Sequence, residues 1–166
     1  MAEICAFLEL EGVKGEAQDS KFKDQIELQS FHWGVSNSSS YESGTGGNIG
    51  AGTIHEVSFS KYMCKASTEL MRRCANGKAI AKGKLSLYKL AGENDDAKMV
   101  YYQTKFEKIV FRSYQVAASG AAQLPMESLS MAFVIMEPQY TPQDNDGGAM
   151  PAIHFKYDVQ QAKEVG

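Results

Sequence analysis

Residues 57–78, VSFSKYMCKASTELMRRCANGK, run from a strand pattern directly into the one helix that the sequence predicts. Ser67 has the side chain of an N-cap residue, and Glu69 falls in the first turn, where a carboxylate suits the helix dipole. Gly77 is suited to the left-handed position that follows a helix. These signals predict a helix over about residues 67–76.

The predicted helix has two kinds of surface. Leu70, Met71 and Cys74 fall on one face, which we expect to pack on a sheet, because residues at i and i+4 are neighbours on a helix. Arg72 and Arg73 point elsewhere. They form either a solvated face or a salt-bridging contact with a neighbouring subunit.

Most of the remaining chain alternates apolar and polar residues, which is the period of a half-buried strand. Apolar residues share a face in Ile4, Ala6, Leu8 and Leu10, in Val57 and Phe59, in Leu85 and Leu87, and in Leu129, Met131, Phe133 and Ile135. The clearest alternation is that of Ile153, Phe155, Tyr157 and Val159, which predicts one antiparallel strand with a wet face. The sequence therefore predicts a mainly β protein.

The apolar face changes sides within residues 26–36. Ile26 and Leu28 occupy even positions, whereas Phe31, Trp33 and Val35 occupy odd ones. A one-residue shift moves every side chain to the opposite face, so we expect a β-bulge or a sharp bend near Gln29 or Ser30.

Residues 38–53, SSSYESGTGGNIGAGT, form a Ser- and Gly-rich stretch without a core pattern. Loops of this length inside a domain are usually functional or mobile, and we expect a mobile loop. Its glycines do not match the dinucleotide-binding pattern G-x-G-x-x-G, because Ile49 stands where the third glycine belongs. We find no repeat and expect a single domain over residues 1–166.

Composition narrows the class of protein and its compartment. A net charge of −3 without a basic cluster argues against a nucleic-acid partner. Three cysteines at unrelated spacings fit a reducing compartment better than a disulfide framework. The sequence shows neither a signal-peptide pattern nor a run of about 18 apolar residues. We expect a protein made in the cytosol, with no membrane insertion and with any export bypassing a cleaved signal.

No set of residues in the sequence points to catalysis, a cofactor or a metal. His32, His55 and His154 lie far apart and without carboxylates at ligand spacing. We therefore expect no enzyme activity, no cofactor and no metal site. If Phe31 and Trp33 point into the core, His32 points out of it, either as a surface histidine or as one that lines a channel.

Blocks spread over nearly the whole chain resemble the Hcp family, the tube proteins of bacterial type VI secretion. The blocks are residues 13–16 (VKGE), 31–36 (FHWGVS), the Gly-rich stretch, 59–62 (FSKY), 65–67 (KAS), 70–71 (LM), Cys74, 77–78 (GK), 91–93 (AGE) and 124–129 (LPMESL). Their order and spacing carry the resemblance more than any one motif does.

The resemblance implies a β-barrel of two antiparallel sheets with one flanking helix, assembled into hexameric rings that stack into a tube. It implies that His32 and Ser30 face the lumen and that the helix leaves Arg72 and Arg73 unengaged and available to a neighbouring subunit. The loop that reaches the next ring corresponds here to Ser43, Gly44, Gly46, Gly47, Asn48, Gly50 and Gly52.

The implied partners are further copies of the chain, sheath and spike components of the secretion apparatus, and small effectors carried in the lumen. The implied localisation is the bacterial cytoplasm before firing and the exterior or a target cell afterwards. Six copies of His32 would make the charge of the lumen respond to mildly acidic pH, because imidazole gains a proton there. The alternative is a small-ligand carrier barrel, motivated by eight tyrosines, eight phenylalanines and period-2 strands.

Overall fold

A computed structural model describes residues 5–42, 46–48, 50, 52–90, 98–121 and 123–166. In these ranges the strands are β1 (Cys5–Leu10), β2 (Ile26–Leu28), β3 (Ser30–His32), β4 (Val35–Asn37), β5 (Ser40–Glu42), β6 (Gly46–Asn48), β7 (Gly52–Ile54), β8 (Val57–Tyr62), β9 (Ile80–Leu90), β10 (Lys98–Ala117), β11 (Met126–Ala132), β12 (Ile135–Tyr140), β13 (Ile153–His154), β14 (Tyr157–Asp158) and β15 (Lys163–Glu164). The helix is α1 (Ser67–Asn76).

Two antiparallel sheets share the long strand β10. Sheet A has the order β2-β1-β9-β10-β12, and the short strands β13 and β14 pair with β12. Sheet B has the order β3-β8-β11-β10. Residues 98–109 of β10 pair with β9, and residues 110–117 pair with β11. One strand therefore carries the hydrogen bonds of both sheets.

At the other end of the sheets the chain crosses between them at a single residue, Gln29. β2 belongs to sheet A and β3 to sheet B, and the Gln29 backbone N–H donates to the Ser60 carbonyl at 2.8 Å. Ile26 and Leu28 are buried, and Phe31 and Trp33 pack against the same core from the second sheet. The predicted change of sides is confirmed as far as Trp33. It does not extend to Val35, which is 54% exposed in β4.

The predicted fold class is confirmed: the protein is mainly β, with two antiparallel sheets and one short helix. The pairings among the described strands do not close into a continuous barrel. Instead, β10 joins the sheets at one end and the turn through Gln29 joins them at the other. The core lies between the two sheets.

The space between the sheets is filled with apolar side chains from every long strand. Aromatic contacts cross it, with Phe59 and Phe111 edge to face at 6.2 Å and Phe106 and Phe133 tilted at 4.7 Å between ring centroids. The members buried to 2% exposure or less are Ala6, Leu8, Ile26, Leu28, Val57, Ala66, Leu70, Ile80, Leu85, Phe106, Ile109, Phe111, Leu129, Met131 and Met136. This burial is the main favourable term in folding.

A second apolar cluster forms on the outer face of sheet A, where residues 11–25 fold over it. Phe7 and Phe22 stack at 4.6 Å, Tyr88 stacks on both, and the Lys98 ammonium lies 5.4 Å from the Tyr88 ring centroid. Burial raises the pKa of Tyr88 to about 12. The cluster holds the loop, through Ala17 and Phe22, against the outer face of sheet A.

The helix has the predicted bounds and C-terminus, but its start differs. Gly77 adopts the left-handed conformation, with φ of 64°. The N-cap is Ala66, whereas Ser67 lies inside the first turn, where its buried Oγ accepts a hydrogen bond from the Cys64 N–H. The predicted N-cap role of Ser67 is therefore wrong.

The helix buries a narrower face than the sequence predicts. Leu70 is fully buried and Cys74 is half-buried against the core, as expected. Met71 is 43% exposed, so its predicted place on the packed face is wrong. A helix packs on a sheet through one stripe of side chains. Met71 follows the buried Leu70 in the sequence and therefore lies at the margin of that stripe.

The C-terminal strand prediction is wrong in part. Residues 153–159 form two separate two-residue strands, β13 and β14. Tyr157 and Val159 pack against the core, but Ile153 and Phe155 are 68% and 44% exposed. Apolar and polar residues do alternate in this segment, but only the apolar residues of its second half are packed against other parts of the protein.

Gly83 offers a test of this packing. A Cβ at this position would lie 2.5 Å from Ile109 Cδ1 and 2.9 Å from Leu10 Cδ2. Because these atoms belong to the filled core, we expect Gly83→Ala to lower the free energy of unfolding by about 1–3 kcal/mol. Urea unfolding measures this, with Gly120→Ala as the control, since nothing lies within 4 Å of its added methyl group. Equal stability of both variants would contradict the packing described.

Candidate functional site

The outer face of sheet B is lined with hydroxyl groups. Two rows cross the strands: the first contains Ser30, Ser60, Ser128 and Gln115, and the second contains His32, Ser58, Ser130 and Ser113. Cross-strand neighbours share a face, so these side chains form one surface, which we call the serine face. The residues between them, such as Phe31, Phe59 and Leu129, face the core.

The serine face is polar but carries little charge. Hydroxyl groups bond across the strands, with Oγ atoms 2.5 Å apart in Ser30 and Ser60 and 2.6 Å apart in Ser113 and Ser130. His32 is the one titratable residue among those that line the described groove over this face. Arg112 and Glu56 form an ion pair at 2.8 Å at its margin. The face can therefore accept and donate hydrogen bonds without a strong field of one sign.

The structure brings together the two residues predicted to face a channel. His32 and Ser30 lie on the same side of β3, and both are exposed. The prediction that His32 points away from the core is confirmed, because Phe31 packs inward. Whether this surface lines a lumen stays a prediction. The other serines of this face were not predicted, although serines alternate with apolar residues in residues 58–60 (SFS) and 127–130 (ESLS).

The part of the outer face of sheet A that residues 11–25 leave uncovered has the opposite character. Glu9, Lys84, Lys105 and Glu137 follow one another across four strands. Lys84 and Glu9 approach to 3.4 Å, as a surface ion pair of small energetic weight. The protein thus has one hydroxyl-lined outer face and one charged outer face on opposite sides of its core.

The Gly-rich stretch contains strands that the sequence did not predict. β4 pairs with β7 and β5 pairs with β6, each as an antiparallel two-stranded sheet. Asn37 Nδ2 donates to the Gly50 carbonyl at 2.8 Å, and the Gly50 N–H donates to Ser39 Oγ at 3.0 Å. These bonds link the two arms of a hairpin. The predicted mobility of the stretch stays a prediction.

The residues predicted to contact the next ring are distributed along this hairpin. Gly46, Gly47 and Asn48 form β6, Gly52 begins β7, and Gly50 lies between those strands. Ser43 and Gly44 lie outside the described residues. In the described ranges, β4 to β7 pair with one another and with no strand of sheets A or B. The hairpin is therefore a separate appendage of the fold.

The arginine pair on the helix is engaged within the chain. Arg72 Nη2 and Arg73 Nε contact the Glu69 carboxylate at 2.6 and 2.8 Å, and Arg73 also donates to the Ala79 carbonyl at 3.1 Å. The hydrogen bonds from Arg73 and Arg72 lower the pKa of Glu69. The expectation that this pair is unengaged is wrong, because Glu69 lies one turn before both residues. A subunit contact through these side chains stays a prediction.

A buried polar network, which the sequence reasoning missed, joins β8, β11, β10 and the start of α1. Lys61 and Glu127 form an ion pair with no exposed side-chain area on either partner. The Lys61 ammonium also donates to the Tyr62 carbonyl at 3.0 Å and to Ser67 Oγ at 3.1 Å. Tyr114 donates its hydroxyl hydrogen to the other Glu127 oxygen.

The Lys61 ammonium, both Glu127 carboxylate oxygens and the Tyr114 hydroxyl group all have hydrogen-bond partners within the network. Burial, and after it the hydrogen bond to the Glu127 carboxylate, raises the pKa of Tyr114 above that of a free phenol. The sequence carried a signal for this site: Lys61 shares the core face of β8 with Phe59, and Glu127 shares that of β11 with Leu129. Opposite charges on two core-facing positions predict a buried pair when the strands are neighbours.

Neither a metal cluster nor a membrane span is found in the parts of the chain that the structure describes. No group of three His, Cys, Asp or Glu residues there is arranged to hold a metal ion. The described ranges also contain no helical segment with the length and hydrophobicity needed to cross a bilayer.

Comparison with known proteins assigns the class. A family model described as "Type VI secretion system effector, Hcp" matches residues 7–140. Protein hcp1 of Pseudomonas aeruginosa is 30% identical over 144 residues, which cover 87% of each chain. A solved structure described as a type six secretion system protein superposes with a TM-score of 0.89 at 29% identity, covering 98% of this chain and 99% of its own. Hcp1 of Salmonella typhimurium shares the fold, with a TM-score of 0.79 at 24% identity over 99% and 100% of the two chains.

The fold and these matches define a protein of the type VI secretion apparatus. More particularly, the chain belongs to the Hcp family, whose members are the tube proteins of that apparatus. The predicted resemblance is confirmed. The family blocks in the sequence include Lys61, Ser67 and Glu127, the residues that meet in the buried network.

The network predicts a specific pattern of stability. Lys61→Met leaves the Glu127 charge buried without its cation, so we expect the free energy of unfolding to fall by about 3–5 kcal/mol. The double variant Lys61→Met/Glu127→Leu removes both charges and should recover part of this loss. Urea unfolding of the three proteins checks the expectation, with the exposed Lys65→Met as the control. A Lys61→Met variant as stable as the control would contradict it.

Proposed function

We propose that this chain assembles into hexameric rings that stack into the tube of a type VI secretion system, with the serine face lining the lumen. One observation carries the proposal: the serine face is exposed or half-exposed throughout, hydroxyl-lined and nearly uncharged. A channel through which different cargo passes needs hydrogen-bonding groups that favour no single charge or shape. A sheet face that serves only as outer surface has no need of such uniformity.

The two outer faces fix the orientation of a subunit in such a ring. They lie on opposite sides of one core, so a serine face in the lumen places the charged face of sheet A on the outside. The charged face is then available to the sheath, and the serine face to small secreted effectors. The spike would meet the end of the tube.

The Gly-rich hairpin is suited to contact between rings. It pairs with neither main sheet in the described ranges, and backbone atoms of β5 and β6 are held mainly by each other. His55 Nε2 and Ser36 Oγ lie 3.0 Å apart and join the two arms at the base of the hairpin, and Ile54 of β7 packs against the core. An appendage with a fixed base and a small-residue tip can adapt to a neighbouring ring.

The proposed localisation is that of a tube which is assembled inside the cell and then exported. The chain is made in the bacterial cytoplasm, assembles there, and leaves through the apparatus without a cleaved signal peptide. Its role is structural, and we propose that it has no catalytic activity and no cofactor.

The alternative, a small-ligand carrier barrel, requires an interior cavity. The described interior is instead occupied by side chains such as Phe106, Ile109 and Met131, each 2% exposed or less. The packing therefore favours the tube subunit over a carrier.

Native mass spectrometry tests the ring directly. We expect a dominant six-subunit species at neutral pH, with electron microscopy showing rings with a central opening. A strictly monomeric protein at high concentration would count decisively against the proposal.

His32 allows a test of the lumen assignment. If six copies face the lumen, mild acidification adds positive charge there, and binding of an acidic effector should increase relative to neutral pH. In His32→Ser the retention of that effector should no longer change with pH. Copurification of a tagged effector at the two pH values measures this, with His154→Ser, on the charged face, as the matched control. Identical pH dependence of the wild type and His32→Ser would remove the lumen role of His32.

A further inference from the structure

The buried polar network extends to a cysteine that solvent can reach. Lys61 Nζ, on a side chain with no exposed area, donates a hydrogen bond to Cys64 Sγ at 3.5 Å. Cys64 is half-buried, and its N–H donates to Ser67 Oγ at 3.0 Å, which holds the loop between β8 and α1 in place. Burial, then the hydrogen bond and charge of Glu127, and last the charge of Cys64 raise the pKa of Tyr114. The sulfur therefore belongs to the same cluster as the buried charges.

A groove gives this sulfur access to small molecules. Its volume is about 250 Å³, and its lining includes Cys64 together with Met63 and Leu124, which are 37% and 51% exposed. A water molecule occupies about 30 Å³ in the liquid, so an oxidant as small as hydrogen peroxide fits in this groove. The Lys61 ammonium lies 3.5 Å from the sulfur but has no exposed area of its own.

We propose that Cys64 and Lys61 form a redox-dependent cross-link, a sulfur–nitrogen bond between the two side chains. In the first step hydrogen peroxide oxidises the Cys64 thiol to a sulfenic acid and is itself reduced to water. In the second step the Lys61 ammonium gives one proton to Glu127, and the resulting amine attacks the sulfenic sulfur. The S–O bond breaks, and the hydroxyl group leaves as water with a second proton from the nitrogen. The products are an uncharged sulfenamide and a neutral Glu127 carboxylic acid.

The contacts of Lys61 supply what the second step requires. The nitrogen must lose a proton before it attacks, and the Glu127 carboxylate already accepts a hydrogen bond from it. Nitrogen and sulfur lie 3.5 Å apart, at the separation from which groups held in place react. The Tyr62 carbonyl and Ser67 Oγ hold the ammonium from 3.0 and 3.1 Å. Little movement is therefore needed to form the bond.

The cross-link would change the electrostatics of the core. It replaces a buried ammonium and a buried carboxylate by two uncharged groups, which removes the cost of keeping those charges out of water. It also ties the loop before α1 covalently to β8. Because the bond needs an oxidant to form, it would be absent from a reducing compartment and would form where the chain meets peroxide. This inference goes beyond the proposed ring, since neither step involves a second copy of the chain.

Peptide mass spectrometry of the whole protein, treated with an equimolar amount of hydrogen peroxide, tests the cross-link. In the reduced protein trypsin cleaves after Lys61 and Lys65, which separates residues 24–61 from residues 62–65. A cross-linked Lys61 is no longer a cleavage site, so residues 24–65 should remain one peptide, about 2 Da lighter than the unmodified sequence. Dithiothreitol should restore the two shorter peptides. Oxidation of Met63 would instead add mass, and a thiol would not reverse it.

Matched variants separate the two partners of the bond. Cys74→Ser retains both partners and should form the cross-link to the same extent as the wild type, whereas Cys64→Ser should form none. Lys61→Arg keeps a cation beside Glu127, but a guanidinium does not lose its proton. In that variant Cys64 should stay a sulfenic acid, and its labelling by dimedone should rise several-fold. Circular dichroism checks folding, and if Lys61→Arg does not fold, the two cysteine variants still decide the result.

Three outcomes would overturn the cross-link. The first is wild-type Cys64 labelled by dimedone as completely as in Lys61→Arg, with normal cleavage after Lys61. The second is a bond from Cys64 to the backbone nitrogen of Lys65, which would lie within the peptide of residues 62–65. The third is an unreacted Cys64 when Cys5 and Cys74 are oxidised. None of these outcomes bears on the ring, and a monomeric protein that forms the bond would leave this inference in place.

Discussion

The buried ion pair between Lys61 and Glu127 is the constraint on which the rest of the structure depends. An ammonium and a carboxylate removed from water cost several kcal/mol each unless every hydrogen-bonding group finds a partner. Here the partners come from the β8 backbone, from Ser67 at the start of α1 and from Tyr114 on β10. The helix, both strands and the shared strand are therefore fixed relative to one another by a single polar cluster inside an apolar core.

Around this fixed interior, the outer faces of the two sheets differ in chemical character. Sheet B shows two rows of mainly hydroxyl groups to one side, and sheet A shows a row of Glu and Lys residues to the other. The edge of sheet A at β13 is different again, because Tyr140 and Ile153 expose apolar side chains there.

The fold class followed from the sequence because alternation and helix signals depend on neighbouring residues. The helix bounds, the left-handed Gly77 and the change of sides near Gln29 were all local features of this kind. The alternation of apolar and polar residues does not show which face of a strand or helix other elements cover. Met71, Ile153 and Phe155 carry the apolar signal of buried residues, yet all three are more than a third exposed, because burial depends on which distant elements extend over them. The pairing of Glu69 with Arg72 and Arg73 is, by contrast, a local feature, because these residues are three and four positions apart on one helix. Lys61 and Glu127 meet only because distant strands pair. The serine face required the same long-range register.

The strand shared by both sheets has a consequence for how the subunit comes apart. Residues 98–109 of β10 hold one sheet and residues 110–117 hold the other, so neither sheet can open at β10 without loosening the peptide segment that anchors its partner. The two halves of the molecule therefore belong to one cooperative unit rather than two separate ones. Partial unfolding exposes sheet edges, which are templates for aggregation. A subunit that is either wholly folded or wholly unfolded avoids such intermediates, which suits a protein of a secretion apparatus.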